Sequence, residues 1–235
     1  YEDCLHSRYV AFERIRLMTD VPRCSNDTFF FLSVYSAVDH FQERKRLRTY
    51  FNLYVKTIPA KLLFIIGLTN NNETQRKVER EISKEQDILQ YSFTDSYRNL
   101  SYKMPLLLRW ALDNCTSAKY LLKVDDDVFP RTSCMNNIIV NNILYSSTVC
   151  DYIWINGTVF RKPTKTSALW NEFRDSVYPP YCSGMGYMLP SSIWKVMYKA
   201  ALKHPIFWID DVYASGLLPK YANVSHVKSP CPLQL

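Results

Sequence analysis

Three uninterrupted apolar runs constrain this chain more than any other feature. "FFFLSVY" (29–35), "KLLFIIGL" (61–68) and "KYLLKV" (119–124) lack the alternation of a half-exposed strand, so each reads as a strand buried on both faces. Charged stretches with helical composition, "HFQERKRLRTYF" and "ETQRKVEREISKEQ", lie between them, and "DILQYSF" adds a short strand. Strand and helix in alternation predict an α/β fold whose mainly parallel central sheet is flanked by helices on both faces. Leu100, Met104, Leu107, Leu108 and Ala111 mark one face of a helix over 97–115, with a kink expected at Pro105. Further on, "DYIWINGTVF" reads as a strand and "CSGMGYMLP" as a turn into another. "SSIWKVMYKAALKH" reads as a helix capped by Ser191 or Ser192, and "WIDDVYASGLL" as two acids opening a helical run.

With only 5 glycines, no repeat and no low-complexity stretch, nothing marks a linker. The expected organisation is an irregular stem over 1–27 followed by one domain over 28–235. The net charge of +7 is dispersed apart from "ERKRLR" and comes with no nucleic-acid-binding fingerprint, so no nucleic-acid partner is expected. No run of about 18 apolar residues is present, so a membrane would be met only through an anchor upstream of this segment. The 7 cysteines show no metal-binding clustering and suit disulfides, with one left over or paired outside this segment. Sequons at Asn26, Asn72, Asn99, Asn114, Asn156 and Asn223 add to the expectation of a lumenal setting. Asn99, opening a packed helix, is expected to be structural and unglycosylated.

"KVDDDVFP" sets three carboxylates at the end of the third strand, which is where open α/β sheets bind ligands. Extended-chain alternation would point Asp125 and Asp127 one way and Asp126 the other. Crowded carboxylates raise one another's pKa unless a positive charge sits among them. An oxygen-only set suits Mn²⁺ or Mg²⁺ rather than zinc, and Phe129 and Pro130 are incompatible with an EF-hand loop. A magnesium ion held by few carboxylates takes further ligands from substrate phosphates, which points to a nucleoside diphosphate. A phosphoryl-transfer reading lacks a Walker loop or any kinase motif set.

Five ordered motifs then resemble the inverting β1,3-galactosyltransferase and β1,3-N-acetylglucosaminyltransferase family. They are "ERKRLRTYF", "DILQYSFTDSYRNLSYK", "KYLLKVDDDVF", "YPPYCSGMGYMLP" and "IDDVYASGLL", with Tyr50, Phe51 and Asp210 departing from the usual residues. The resemblance implies a GT-A type Rossmann-like domain and a UDP-sugar donor whose hexose passes with inversion to a glycan hydroxyl. It implies Asp211 as the general base, Asp127 as direct metal ligand and His226 as a further ligand. It places Arg44, Arg48, Lys103, Asp125, Asp126 and Asp210 around the nucleotide sugar, and Tyr181, Ser183 and Gly184 near the sugar or acceptor. Trp208, beside the acid pair, is the tryptophan expected to stack on an acceptor ring. A Golgi-lumenal, single-pass type II setting follows from the same resemblance. A degenerate member that binds glycan or nucleotide without turnover is the alternative.

Overall fold

The computed structural model describes residues 14–234. Cys4 and the first 13 residues of the expected stem lie outside the described residues. Along the chain come β1 (Phe30–Tyr35), α1 (Phe41–Tyr50) with a wide π-turn (Phe51–Val55), β2 (Ala60–Leu68), α2 (Asn72–Glu85) and β3 (Ile88–Thr94). A 3-10 stretch (Tyr97–Tyr102) leads into α3 (Lys103–Asn114), followed by β4 (Tyr120–Asp125), α4 (Thr132–Val140), β5 (Thr148–Cys150), β6 (Ile153–Trp154), β7 (Tyr181–Cys182) and β8 (Gly186–Pro190). Then come α5 (Ser191–Lys203), α6 (Asp210–Val212), a second π-turn (Tyr213–Leu217), α7 (Leu218–Ala222) and β9 (His226–Lys228).

Seven strands form one sheet in the order β3-β2-β1-β4-β8-β5-β9, and β6 pairs with β7 as a separate ribbon. β1 pairs in parallel with β2 and β4, β2 with β3, and β5 with β9, while β8 runs antiparallel to both of its neighbours. The expected mainly parallel sheet is present, with β8 as the reversal. Successive residues of the apolar strands feed opposite faces. Phe31, Leu63, Ile65 and Leu121 pack with Met104, Leu107 and Trp110 of α3 and Trp194 and Met197 of α5. Phe30, Phe64, Ile66 and Leu122 pack with Leu47 of α1, Val78 of α2 and Ile138 of α4. Covering both faces explains why these strands tolerate no polar alternation.

Several local expectations are corrected. The helix expected over 97–115 begins as a 3-10 stretch and becomes α-helical only at Lys103. Pro105 therefore falls in the first α-turn, where an absent N–H breaks no ladder and no kink is required. Neither Ser191 nor Ser192 caps α5: Pro190 precedes it with no side-chain cap bond. The strand expected over 151–160 shrinks to β6, because Asn156 takes a left-handed φ of 55°. By contrast, α2 starts as propensity requires, with the Asn71 side chain accepting from the Thr74 N–H at 2.9 Å.

Residues 14–27 contain no helix or strand but dock on the sheet edge. Met18 N–H donates to Gln90 O at 2.8 Å, Ser92 N–H donates to Arg16 O at 2.9 Å, and Ile15 and Val21 are buried. This segment covers part of the β3 edge that would otherwise offer unpaired backbone. Disulfides Cys24–Cys115, Cys134–Cys231 and Cys150–Cys182 account for six of the seven cysteines. Among the described residues no helix is long and apolar enough to cross a membrane.

Candidate active site

A cleft of about 440 Å³ opens at the carboxyl ends of β1 and β4. Its walls are the turn 35–40, the loop 95–97, Lys103, the three acids 125–127 and Lys165. All three acids line it, contrary to the alternation expected of extended chain. The reason is local: β4 ends at Asp125, whose carbonyl accepts from the Val128 N–H at 3.1 Å, so the chain turns within the triplet.

Each acid meets a different fate. Asp125 Oδ1 accepts from Lys123 Nζ at 2.7 Å, and Asp126 Oδ2 lies 2.9 Å from His40 Nδ1. Asp127 is exposed and has neither hydrogen bond nor ion pair among the described residues. Lys123 also donates to Gly184 O at 2.5 Å, and its side chain is only 1% exposed. Two residues apart on β4, Lys123 and Asp125 share a face, so the ammonium reaches the carboxylate within its own strand.

The second acid pair opens α6 just across from β7. Asp210 is buried, and its Oδ1 makes no hydrogen bond among the described residues. Burial, opposed by Lys123 and reinforced by Asp211 and Asp125, pushes its pKa up to about 7. Asp211 is also shifted upward by burial, against the opposing pull of Lys123, with Asp125 adding and the Gly184 amide subtracting. Its carboxylate lies directly against Gly184: a Cβ there would come within 2.1 Å of Asp211 Oδ1. Ser215 locks this corner, donating from Oγ to Asp211 O at 2.7 Å and accepting from the Cys182 N–H at 2.9 Å. The Cys150–Cys182 disulfide ties the same point of β7 to β5.

Tyr181 packs against Gly157 and Gly216, and its ring lies parallel to that of Trp154, with centroids 6.4 Å apart and planes 19° apart. Ser183 is tied to the β6 side by its N–H, which donates to Tyr152 O at 3.0 Å. Tyr181, Ser183 and Gly184 are thus brought to Asp211. Trp208 is not the exposed stacker expected: it is 6% exposed, lies under the Arg98 guanidinium at 4.3 Å and meets the edge of Tyr97. Trp154, at 45% exposure, offers the open ring instead.

Arg44 and Arg48 do not present their charges to the cleft. Arg44 is fully buried, paired with Glu81 of α2 at 2.7 Å, and it donates to Ser36 Oγ, Ala37 O and Val38 O. Arg48 is taken by Glu81 and by Asp87, at 2.6 and 2.7 Å. Arg44 therefore braces the turn that walls the cleft, and Arg48 ties α1 to the start of β3. Lys103 lines the cleft but is buried, donating to Ser36 O at 2.8 Å and lying 3.4 Å from Asp95. Burial lowers its pKa, with Asp95 opposing.

His226 is not brought to the triplet. Its Nε2 meets Ser215 O, and its neighbour Val227 pairs with Val149, which pairs with Met188 and through it with Leu122. That row sets His226 three strands away from β4 and well below its acidic end. Among the described residues no three His, Cys, Asp or Glu side chains converge as a closed metal cage. An open site on Asp127, with substrate phosphate and water as remaining ligands, is the arrangement such a donor set fits. Sequence reasoning missed Lys123, His40 and Lys165. Only Lys123 carried a signal, as a lone charge inside an apolar strand.

A family model described as Galactosyltransferase matches residues 42–230. The human N-acetyllactosaminide beta-1,3-N-acetylglucosaminyltransferase 3 is 31% identical over 212 residues, covering 84% of this chain and 55% of that protein. The mouse beta-1,3-galactosyltransferase 1 is 32% identical over 171 residues, covering 70% of this chain and 51% of that protein. The chain thus spans about half the length of these relatives. A Drosophila β1,4-galactosyltransferase 7 in complex with manganese, UDP-Gal and xylobiose overlays with a TM-score of 0.42 at 10% identity, over 87% of this chain and 66% of that one, a likeness too loose to carry an argument.

Proposed function

Because the chain belongs to the galactosyltransferase family, we propose that it transfers a hexose, galactose or an N-acetylhexosamine, from a UDP-sugar to a hydroxyl of a glycan acceptor. The reading extends to inversion at the anomeric carbon, a β1,3 linkage and a Golgi-lumenal setting with a membrane anchor outside this segment. One observation carries it. Two acids of the triplet are matched by Lys123 and His40, whereas Asp127 stands exposed and unmatched in the cleft. An unmatched carboxylate among like charges favours a cation.

A Mn²⁺ or Mg²⁺ ion held by Asp127 would neutralise charge developing on the leaving diphosphate. The chain's own residues supply the rest. Asp211 accepts the proton of the acceptor hydroxyl as that oxygen attacks the anomeric carbon from the face opposite the departing UDP. One displacement then inverts the anomer, with no covalent enzyme intermediate. A carboxylate whose pKa is raised by burial is a stronger base than an exposed one, which suits proton removal near neutrality. Arg44 and Lys103 hold the 36–38 backbone that walls the donor side. Tyr181 and Trp154 flank the acceptor side with rings suited to the apolar face of a pyranose.

Calorimetry of UDP binding with and without Mn²⁺ tests the donor half without knowledge of the acceptor. Wild-type protein is expected to bind UDP only with the metal, and Asp127→Ala to lose that binding. A donor panel then follows, in which Asp211→Asn keeps UDP affinity and loses about 10²–10⁴-fold in kcat. Folded wild-type protein that binds no UDP under either condition sinks the proposal in favour of a degenerate, non-catalytic member.

A further inference from the structure

We propose that Lys123 is a positioning residue for the base: its buried ammonium joins the acidic end of β4 to the Gly184 carbonyl and so fixes the backbone against which the Asp211 carboxylate lies. The inference rests on the reading of Asp211 as general base and adds a residue to that site.

A lysine inside a buried strand needs a reason. Desolvating an ammonium is costly, and an apolar side chain of similar volume would satisfy the sheet without that penalty. Here the Nζ has two strong acceptors, Asp125 Oδ1 at 2.7 Å and Gly184 O at 2.5 Å. The rings of Tyr35 and Tyr187 flank it at 4.6 and 5.8 Å. Gly184 is the link to chemistry, because its Cα is the surface on which the Asp211 carboxylate rests. If the tie to its carbonyl is removed, the 183–184 backbone loses its link to β4 and keeps those to Tyr152, the Cys150–Cys182 disulfide and, through the Gly184 amide, Asp211 itself.

The same ammonium sets the charge balance. The groups acting on Asp211 are Lys123, Asp125 and the Gly184 amide, and Asp211 acts in turn on Tyr35, Tyr97, Tyr181, Tyr187 and Asp210. Lys123 is the largest influence opposing burial at both Asp210 and Asp211. Lys103, the other buried lysine among the described residues, acts more weakly on Asp210 and is engaged by Asp95. Lys123 thus holds the Asp211 backbone support in place and keeps the carboxylate able to ionise.

The sign of the expected effect follows. Losing a nearby cation raises a carboxyl pKa by about one to three units, so the ionised base is reached only at higher pH. The experiment measures kcat against pH as UDP release from UDP-galactose and UDP-N-acetylglucosamine, with N-acetyllactosamine as acceptor. Wild type, Lys123→Met, Lys123→Arg and Asp211→Asn are compared, each checked for folding by a thermal melt and by UDP–Mn²⁺ calorimetry. In Lys123→Met the acidic limb is expected to move up by about one unit or more and kcat at neutral pH to fall at least tenfold. Lys123→Arg, which keeps the charge, leaves the limb in place. A Lys123→Met enzyme that loses only thermal stability, or whose kcat falls equally at every pH, overturns the proposal. Should Lys123→Met fail to fold, Lys123→Met with Asp210→Asn is compared with Asp210→Asn alone, and an unmoved limb again overturns it. If instead Asp211→Asn turns over like wild type, the base reading itself has failed, and the role of Lys123 falls with it.

Discussion

Replacing Gly184 by alanine asks one methyl group to occupy space filled by the base. The new Cβ would sit 2.1 Å from Asp211 Oδ1 and 2.4 Å from its Cγ and Oδ2, so the carboxylate must retreat about 1.3 Å to reach an ordinary contact of 3.4 Å. The backbone cannot easily absorb this. Asp211 O is held by Ser215 and Gly184 O by Lys123, which leaves the Asp211 side-chain torsions to give way. No described glycine has a positive φ, so backbone strain does not contribute and the effect is steric. A misplacement of about 1 Å at a reacting group costs about 100-fold, or roughly 2.7 kcal/mol in the barrier. Overpacking adds about 1–3 kcal/mol of destabilisation. The assay is kcat for UDP release beside UDP–Mn²⁺ calorimetry, with kcat expected to drop about 100-fold and the UDP Kd to stay within about threefold. A folded Gly184→Ala enzyme with wild-type kcat would falsify the claim that this carboxylate must rest on Gly184.

Arg44→Ala removes one of the two arginines paired with Glu81 and the brace of the 36–38 turn, and is expected to destabilise by about 3–5 kcal/mol, lowering the thermal midpoint by roughly 10 °C. Arg44→Lys should recover little of this, because an ammonium cannot reproduce the guanidinium fork; full recovery in a thermal melt contradicts that reasoning. The folded pKa of Asp210, about 7, lies above the ordinary carboxyl value of about 3.9. Its contribution is fully present below about pH 4 and is lost as pH rises towards 7, since the unfolded chain releases its proton first. In metal-free buffer, scanning calorimetry is expected to show the midpoint falling from about pH 4 to 7, with a shallower fall in Asp210→Asn. Equal slopes in the two proteins would count against the shift. Removing Cys150–Cys182, which closes a loop of 32 residues, is expected to cost about 3–4 kcal/mol in a denaturant titration. It should also lower kcat before the global transition; simultaneous loss of both signals would show that the disulfide serves stability alone.

The sheet was legible because its strands are buried on both faces, and a continuous apolar run such as 61–68 admits few other fates. The reversal at β8 was not: Gly186–Pro190 is as buried as the parallel strands of the sheet, and direction is set by the connection rather than by the strand's own composition. α4 escaped notice because "TSCMNNIIV" carries no charged face and two adjacent asparagines. Its helix is held by tertiary contacts of Met135 and Ile138 and by the Cys134–Cys231 bridge. The two acid motifs could be found from sequence, since adjacent carboxylates beside an apolar strand need compensation. What compensates them could not. Arg44 and Arg48 look like free cations until Glu81 and Asp87, more than 30 positions away, fold against them. The placement of His226 depends on the register of three strand pairs that meet only in the folded sheet.

Three adjacent carboxylates can coexist at this strand end because they do not share one partner. Unit like charges about 4 Å apart repel by about 4 kcal/mol at an effective dielectric near 20, so three unmatched acids would strain the turn that contains them. Lys123 takes Asp125 from within the strand, and His40 takes Asp126 from the turn after β1. Only the third charge is left open to the cleft. This division assigns different work to neighbouring residues of identical chemistry. Asp125 belongs, through Lys123 and Gly184, to the support of Asp211; Asp126 belongs to the turn leading into α1; Asp127 is free for a ligand. Exchanging any one for asparagine should therefore produce a different defect: slower turnover, a loosened donor wall, or lost metal-dependent UDP binding. A site in which the triplet acted as one undivided patch of negative charge would lose metal-dependent UDP binding alike in all three.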